Sequence, residues 1–301
     1  MKYFDLHCDT FLNLYEDKKG FDDPQIMAPP SLQSFDKYTQ VAAFWSAHSK
    51  SADECYDTFL RASEYIKERR HLLPDNFSYI PAVEGGKLLG EDITRVKRIA
   101  DEGVRVFTLV WAGLCPVGGA HGTDKGLTKF GRDVMYALFE NGIVPDVSHA
   151  SDKMFYEVAK ICSEEKMPFI ASHSNARKIT PVSRNLTDDM ISYLISSNSL
   201  IGINLCPPFL SDKGPATVDD IAQHIKYFVD SGASDILAFG CDFDGIDTTP
   251  IGIEGIKDIE KLYSLLLEKG FSKNLLDSVF YSNAERFFDR LNIKGFTNKD
   301  I

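Results

Sequence analysis

A closed barrel of eight parallel strands, each followed by a helix, is the α/β fold class this chain predicts. Three observations carry the prediction. Apolar, β-branched-rich runs alternate with segments of helical spacing, strand then helix, about eight times along the chain. Several of these runs are apolar at successive positions, as strands buried on both faces of a parallel sheet must be. The length of 301 residues is ordinary for one such barrel, and no linker, repeat or low-complexity tract divides it, so 1–301 is expected to form a single (β/α)₈ domain.

In order, strands are expected at 3–8, 41–46, 77–83, 104–111, 143–147, 169–172, 200–205 and 236–241. Helices are expected at 52–71, 93–102, 130–141, 152–165, 188–197, 218–230 and 257–269. Thr187 before Asp188 and Asp189, and Thr217 before Asp219 and Asp220, place a capping hydroxyl ahead of first-turn carboxylates. Gly103, Gly142, Gly232 and Gly270 sit just past helix ends, where a left-handed residue stops the helix. Two stretches have no clear period: 20–38, rich in Pro and polar residues, and 112–126, rich in Gly. The second is long for a strand-to-helix connection and follows a strand at the end where barrels build their sites, so it is expected to cover substrate.

A hydrophobic content of 44% with 26% charged residues is that of an ordinary soluble globular protein. A net charge of −11 with no basic stripe excludes nucleic-acid and anionic-membrane partners, which need clustered Lys and Arg. The first residues lack the charged leader and apolar core of a signal peptide, and no run is long enough to span a bilayer. Cys8, Cys55, Cys115, Cys162, Cys206 and Cys241 are scattered without a CxxC pair, which suits reduced thiols and a cytoplasmic location. Cys8 and Cys241 are expected to line the barrel wall as small apolar residues.

Metal-ligand types close the apolar runs: His7 and Asp9 after the first, Glu84 after the third, His149 after the fifth, His173 after the sixth and Asp242 after the eighth. In a parallel barrel all strand C-termini meet at one rim, so these residues, far apart in sequence, are expected to converge. Any one of them alone reads more simply as a hydrogen-bonded structural residue. The set at matching strand ends points to a metal centre, and three imidazoles with carboxylates suit Zn²⁺ or another first-row divalent ion. His48, His71, His121 and His224 are not expected to be ligands. His71 and His224 fall on helices and read as surface residues, whereas His48 and His121 fall near the substrate side.

His7-Cys8-Asp9-Thr10, Val83-Glu84-Gly85-Gly86, Val147-Ser148-His149, Ser172-His173-Ser174, Arg184-Asn185 and Asp242-Phe243-Asp244-Gly245 resemble, in order, the motifs of the membrane (renal) dipeptidase family, binuclear zinc peptidases of the amidohydrolase superfamily. Gly126-Leu127-Thr128 with Phe130-Gly131 also matches the run that precedes the fifth-strand motif. The resemblance spans nearly the whole chain. It implies two Zn²⁺ ions, one on His7 and Asp9, the other on His149 and His173, with Glu84 bridging both and a shared water or hydroxide between them. It implies a small dipeptide as substrate, with a D-residue at the C-terminal side accepted by many members, and a homodimer. Asp242 then carries the proton between water and leaving amine, although on sequence alone Asp244 has a competing claim. Arg184 resembles the residue that pairs with the substrate's C-terminal carboxylate.

Two departures bear on substrate. Where better-studied relatives place a His after the fourth strand, this chain has Trp111, a neutral single donor beside the substrate. Asn204-Leu205-Cys206-Pro207 stands where relatives often carry an aromatic pair including a Tyr, and Cys206 has no phenol to offer. Two other outcomes share the platform: deacylation of an N-acyl amino acid, and a catalytically silent barrel kept as a binding module. The silent barrel is disfavoured because every implied ligand and Asp242 are present.

Overall fold

The computed structural model describes residues 1–31 and 34–300; Leu32 and Gln33, within the aperiodic stretch 20–38, and Ile301 lie outside the described residues. Eight strands pair in chain order, all parallel: β1 Lys2–Cys8, β2 Lys37–Trp45, β3 Phe77–Glu84, β4 Val106–Thr108, β5 Val144–Asp146, β6 Ile170–Ala171, β7 Leu200–Ile203 and β8 Leu237–Phe239. β8 returns to β1 through Asp5 opposite Phe239, which closes the (β/α)₈ barrel. Helices α1 Thr10–Glu16, α2 Ala52–Arg69, α3 Thr94–Asp101, α4 Lys129–Glu140, α5 Asp152–Glu165 and α6 Asp188–Ser196 follow the first six strands. The short α7 Pro207–Leu210 and α8 Val218–Asp230 follow β7; α9 Ile259–Glu268, α10 Lys273–Asp277 and α11 Asn283–Arg290 follow β8.

Of the two expected caps, Thr187 forms as a hydroxyl acceptor, while at Thr217 the N–H and hydroxyl both donate to the Asp220 carboxylate at 2.8 Å. Ser51 and Glu54 make a reciprocal capping box on α2, and the Ser151 and Thr187 hydroxyls accept the third N–H of α5 and α6. Two apolar layers result. Between strands and helices lies the larger core, containing Cys8 and Cys241 as expected. Inside the barrel, Phe4, Leu6, Val41, Ile80, Val106 and Val144 fill the lower half, and Phe287 and Phe288 of α11 plug its N-terminal end. The Phe4 and Phe288 rings stack at 5.3 Å. With the lower half of the barrel filled by these side chains, the rim at the strand C-termini is where a site can be built.

Period-2 alternation places Ile80, Ala82 and then Glu84 toward the barrel axis, and on β1 it breaks. Phe4 and Leu6 both pack inside the barrel, yet His7 also faces the axis, because β1 and β2 slip register between Asp5 and Cys8. Higher in the barrel, Gly202 and Gly240 admit the backbone of the β6 segment: a Cβ on either would meet the Ser172 carbonyl oxygen at 1.7 or 1.9 Å. That close approach carries His173 to the axis.

β1 to β3 are longer than their apolar runs predict, whereas β4 to β8 are shorter. The run 104–111 yields only Val106–Thr108, and Leu109 and Val110 are buried in the loop that follows. Hydrophobicity there reports burial under that loop, not pairing. The sequence reading also omits α1 and the terminal α10 and α11. His224 is a correction: it is not on the surface but fully buried, its Nδ1 accepting the Ala176 N–H at 3.1 Å. It lies on the buried face of α8 with Ile221, Ile225 and Phe228, a helical spacing that outweighs its polarity. His71 is exposed, as expected.

Candidate metal centre

Six side chains meet at the open rim. Glu84 ends β3 at the centre, its Oε1 lying 2.9 Å from His149 Nε2, 3.4 Å from His173 Nε2 and 3.7 Å from His7 Nε2. Asp9 Oδ2 is 3.5 Å and Asp242 Oδ1 3.9 Å from the same His7 nitrogen. Donor atoms of His7, Asp9 and Glu84, of Glu84, His149 and His173, and of His7, His173 and Asp242 form three sets, each within 4.8 Å. Two of these six residues sit in the left-handed region that non-glycine residues avoid: His149 at φ 69° and Asp242 at φ 65°. Such backbone strain persists where surrounding structure holds it, commonly at functional sites.

The electrostatics favour a cation. Burial opposes a charge on His7, yet Glu84, Asp9 and Asp242 outweigh it and raise its pKa to about 10. Burial pushes Glu84 well above the usual carboxylate range, and burial together with Arg184 holds His149 and His173 well below the usual histidine range. Asp242 is pushed up to about 6, chiefly by burial. His149 Nε2 and His173 Nε2 stand 2.9 Å apart, and His7 Nε2 and Asp9 Oδ1 are buried with no hydrogen-bond partner. Nitrogen lone pairs and carboxylate oxygens converging on one space, with donors left over, fit divalent ions of the Zn²⁺ type.

Behind these groups, Asp5 accepts the backbone N–H of His7 and Cys241 at 3.2 and 2.9 Å and ties β1 to β8. Gly245 is required by close approach: a Cβ there would lie 2.2 Å from Asp9 Oδ2 and 2.8 Å from Asp242 Oδ1. Gly245→Ala should push both carboxylates aside. Activity should fall about 10²-fold, as misplacements near 1 Å do, with a thermal midpoint close to wild type; unchanged kcat/KM would show that the two carboxylates tolerate the shift.

A cavity of about 500 Å³ opens above the centre. Its apolar wall is Trp45, Trp111, Leu12, Phe209 and Ile246, with the Trp45 and Trp111 rings edge to face at 4.9 Å. Cys206 and His121 also line it, and burial lifts the Cys206 thiol to about 12. Arg184 is 4% exposed; Nη1 donates to Ser174 Oγ at 3.0 Å, while Nε and Nη2 have no hydrogen-bond partner. Asp244 is occupied elsewhere: its carboxylate accepts the N–H of Met27 at 2.7 Å and of Ala28 at 3.2 Å, and the Thr10 hydroxyl at 2.5 Å. From the loop 112–126, His121 and Ala112 reach the cavity, and Ala120 and His121 are tied by backbone hydrogen bonds to Gly113 and His149. His48 is exposed beside Gly113 and is not part of the wall. Sequence reasoning passes over Trp45 and Phe209 and gives no role to Asn204, whose Nδ2 donates to Asp242 Oδ2 at 3.0 Å. Trp45 closes β2 opposite Glu84, so its strand-end position was the available signal.

Against known proteins, the profile of the membrane dipeptidase family (peptidase family M19) matches residues 57–295. An uncharacterized dipeptidase of Schizosaccharomyces pombe is 27% identical over 237 residues, 76% of this chain and 57% of that protein. An uncharacterized protein of Klebsiella pneumoniae is 31% identical over 169 residues, 55% of this chain and 61% of its own length. The chain therefore spans about three fifths of the curated relatives it matches. Among solved structures, a metallo peptidase of Rhodobacter sphaeroides liganded with a phosphinate mimic of the dipeptide L-Ala-D-Ala superposes with a TM-score of 0.86 at 21% identity, covering 97% of this chain and 99% of that one. A probable dipeptidase of Pseudomonas aeruginosa gives 0.85 at 15% identity, covering 97% and 95%. At these identities the superpositions speak for the fold.

Proposed function

Because the chain belongs to the membrane dipeptidase family, peptidase family M19, we propose that it is a metal-dependent dipeptidase holding two Zn²⁺ ions. The observation that carries this reading is a cavity lined by Asp9, Glu84, His149 and Asp242, with Glu84 amid three imidazoles and a buried Arg184, two of its donors without a partner, 5.5 Å from the ring of the wall residue Phe209. His7 and Asp9 would hold one ion, His149 and His173 the other, with Glu84 shared. Two such ions supply Lewis-acid polarisation of the scissile carbonyl and a water acidic enough to attack it near neutral pH.

The chain's own residues do the rest. Asn204 holds Asp242 by one oxygen, which leaves Oδ1 facing the centre to take the proton from water and return it to the leaving amine. Arg184 offers Nε and Nη2, a forked pair that matches a carboxylate, so the substrate ends in a free carboxylate beside the scissile bond. Trp111 and Trp45 supply an apolar wall for a side chain and no charge. A D-residue next to Arg184 is accepted in this reading, as in the phosphinate mimic bound by the Rhodobacter sphaeroides peptidase. Family resemblance and the six free thiols support a cytoplasmic homodimer built from one barrel domain, and among the described residues no helix is long and apolar enough to cross a membrane.

The test is a panel of L,L-, L,D- and D,D-dipeptides with N-acyl amino acids alongside, run on zinc-loaded protein. Hydrolysis of at least one dipeptide class is expected, and turnover of N-acyl amino acids alone would reassign the enzyme as a deacylase. Removing a buried Arg–carboxylate pair costs on the order of a few kcal/mol, so C-terminal amides should be poorer substrates by about 10²-fold or more. Equal turnover of a dipeptide and its amide would sink the role of Arg184.

A further inference from the structure

Asp146 is fully buried at the end of β5 and touches no cation, yet it organises three strands. Its Oδ1 accepts the backbone N–H of Ser148 at 3.0 Å and of Ser172 at 2.9 Å; its Oδ2 accepts the hydroxyls of Thr108 and Ser172, both at 2.6 Å. Ser172 has one proton, and Asp146 takes it. Ser172 Oγ then has only acceptor capacity left for its two other contacts, the Ser148 hydroxyl at 3.4 Å and His173 Nδ1 at 2.7 Å, so His173 carries its proton on Nδ1. That leaves Nε2, the atom 3.4 Å from Glu84 and 2.9 Å from His149 Nε2, with a free lone pair.

We infer that Asp146 is a positioning residue that fixes the tautomer of His173 through Ser172, and thereby sets how tightly the His149–His173 side of the centre binds a divalent cation. The inference rests on reading His173 as a metal ligand, and adds a direction to the hydrogen-bond chain behind it. Hydrogen-bond partners behind metal-bound imidazoles act in this way, typically worth 10- to 100-fold in metal affinity.

The chain has a polarity that an isosteric change inverts. In Asp146→Asn the amide oxygen must keep facing the backbone N–H groups of Ser148 and Ser172, since these can only donate. The amide NH₂ then faces Ser172 and donates to Oγ, Ser172 turns its proton toward His173 Nδ1, and the imidazole proton moves to Nε2. A neutral imidazole protonated there has no lone pair for the ion. Asp146→Asn should therefore bind one of two Zn²⁺ equivalents about 10- to 100-fold more weakly in competition with a chelating indicator. Ser172→Ala, which leaves His173 Nδ1 uncommitted, should lose less. The double variant should bind more tightly than Asp146→Asn alone, because no hydroxyl remains to transmit the inversion; a purely structural Asp146 gives no such rescue.

The second readout is a two-bond ¹⁵N–¹H correlation spectrum of metal-free protein labelled at histidine. His173 is expected as Nδ1–H in wild type and as Nε2–H in Asp146→Asn. Equal zinc affinity of Asp146→Asn and the double variant, or Nε2–H already present in wild type, overturns the relay. If Asp146→Asn does not fold, Ser172→Ala decides: a mixture of His173 tautomers supports the relay, and an unchanged Nδ1–H refutes it. A wild-type protein that takes up no zinc would instead overturn the metal reading itself.

Discussion

Glu84→Ala is expected to abolish measurable hydrolysis and to release at least one equivalent of divalent ion. Its Oε1 is the single carboxylate atom, among the described residues, within 3.7 Å of the Nε2 atoms of all three rim histidines. Without it, the first pair retains His7 and Asp9 and the second only two neutral imidazoles, too few to hold an ion firmly against water. The carboxylate also helps to hold His7 near a pKa of about 10, so its loss weakens the negative field that attracts a cation. Loss of a group that sets transition-state charge costs about 10²–10³-fold, and in the proposed centre two ions would depend on one side chain, so the fall in kcat/KM should be at least that large. Elemental analysis beside a thermal melt decides the matter. Full metal content in an active Glu84→Ala protein would remove Glu84 from the centre.

The position of that centre is legible because strand and ligand are encoded together. A strand buried on both faces must be apolar until it ends, so the first His, Asp or Glu after each run marks the rim, and Glu84, His149, His173 and Asp242 are found that way. His7 is reached by a less secure route. Reasoning that residues i and i+2 share a face pairs it with Asp9, whereas the structure brings it inward through a register slip in β1, and Asp9 stands beyond the strand as the cap of α1. Contacts across distant sequence are not legible at all. Ser172 lies 26 residues from Asp146, and Asp244 lies 217 and 216 residues from the Met27 and Ala28 amides it anchors. Nothing local in either segment specifies its partner. His224 is the opposite case, a polar residue whose burial is written in the spacing of its apolar neighbours.

Asp242→Asn is expected to lose at least about 10²- to 10⁴-fold in kcat with both metal equivalents retained, the range of a general acid–base contribution. Its carboxylate is held on one oxygen by Asn204, and the other lies 3.9 Å from His7 Nε2, at the edge of the centre and in the wall of the substrate cavity. Burial lifts it to about 6, so its affinity for a proton is close to that of the groups it must exchange with near neutrality. An amide keeps the shape and still faces Asn204, but carries no exchangeable acid. Asp244, the rival two residues on, also borders the cavity, but its carboxylate is spent on structure: the Thr10 hydroxyl and the Met27 and Ala28 N–H groups all donate to it. Asp244→Asn exchanges one acceptor oxygen for a donor facing the Ala28 N–H or the Met27 N–H, so it should cost on the order of 1–3 kcal/mol of stability and leave kcat within a few-fold of wild type. The two variants thus separate by observable. If Asp244→Asn is the inactive protein while Asp242→Asn turns over normally and melts early, the proton path runs through Asp244 and Asp242 is the structural carboxylate.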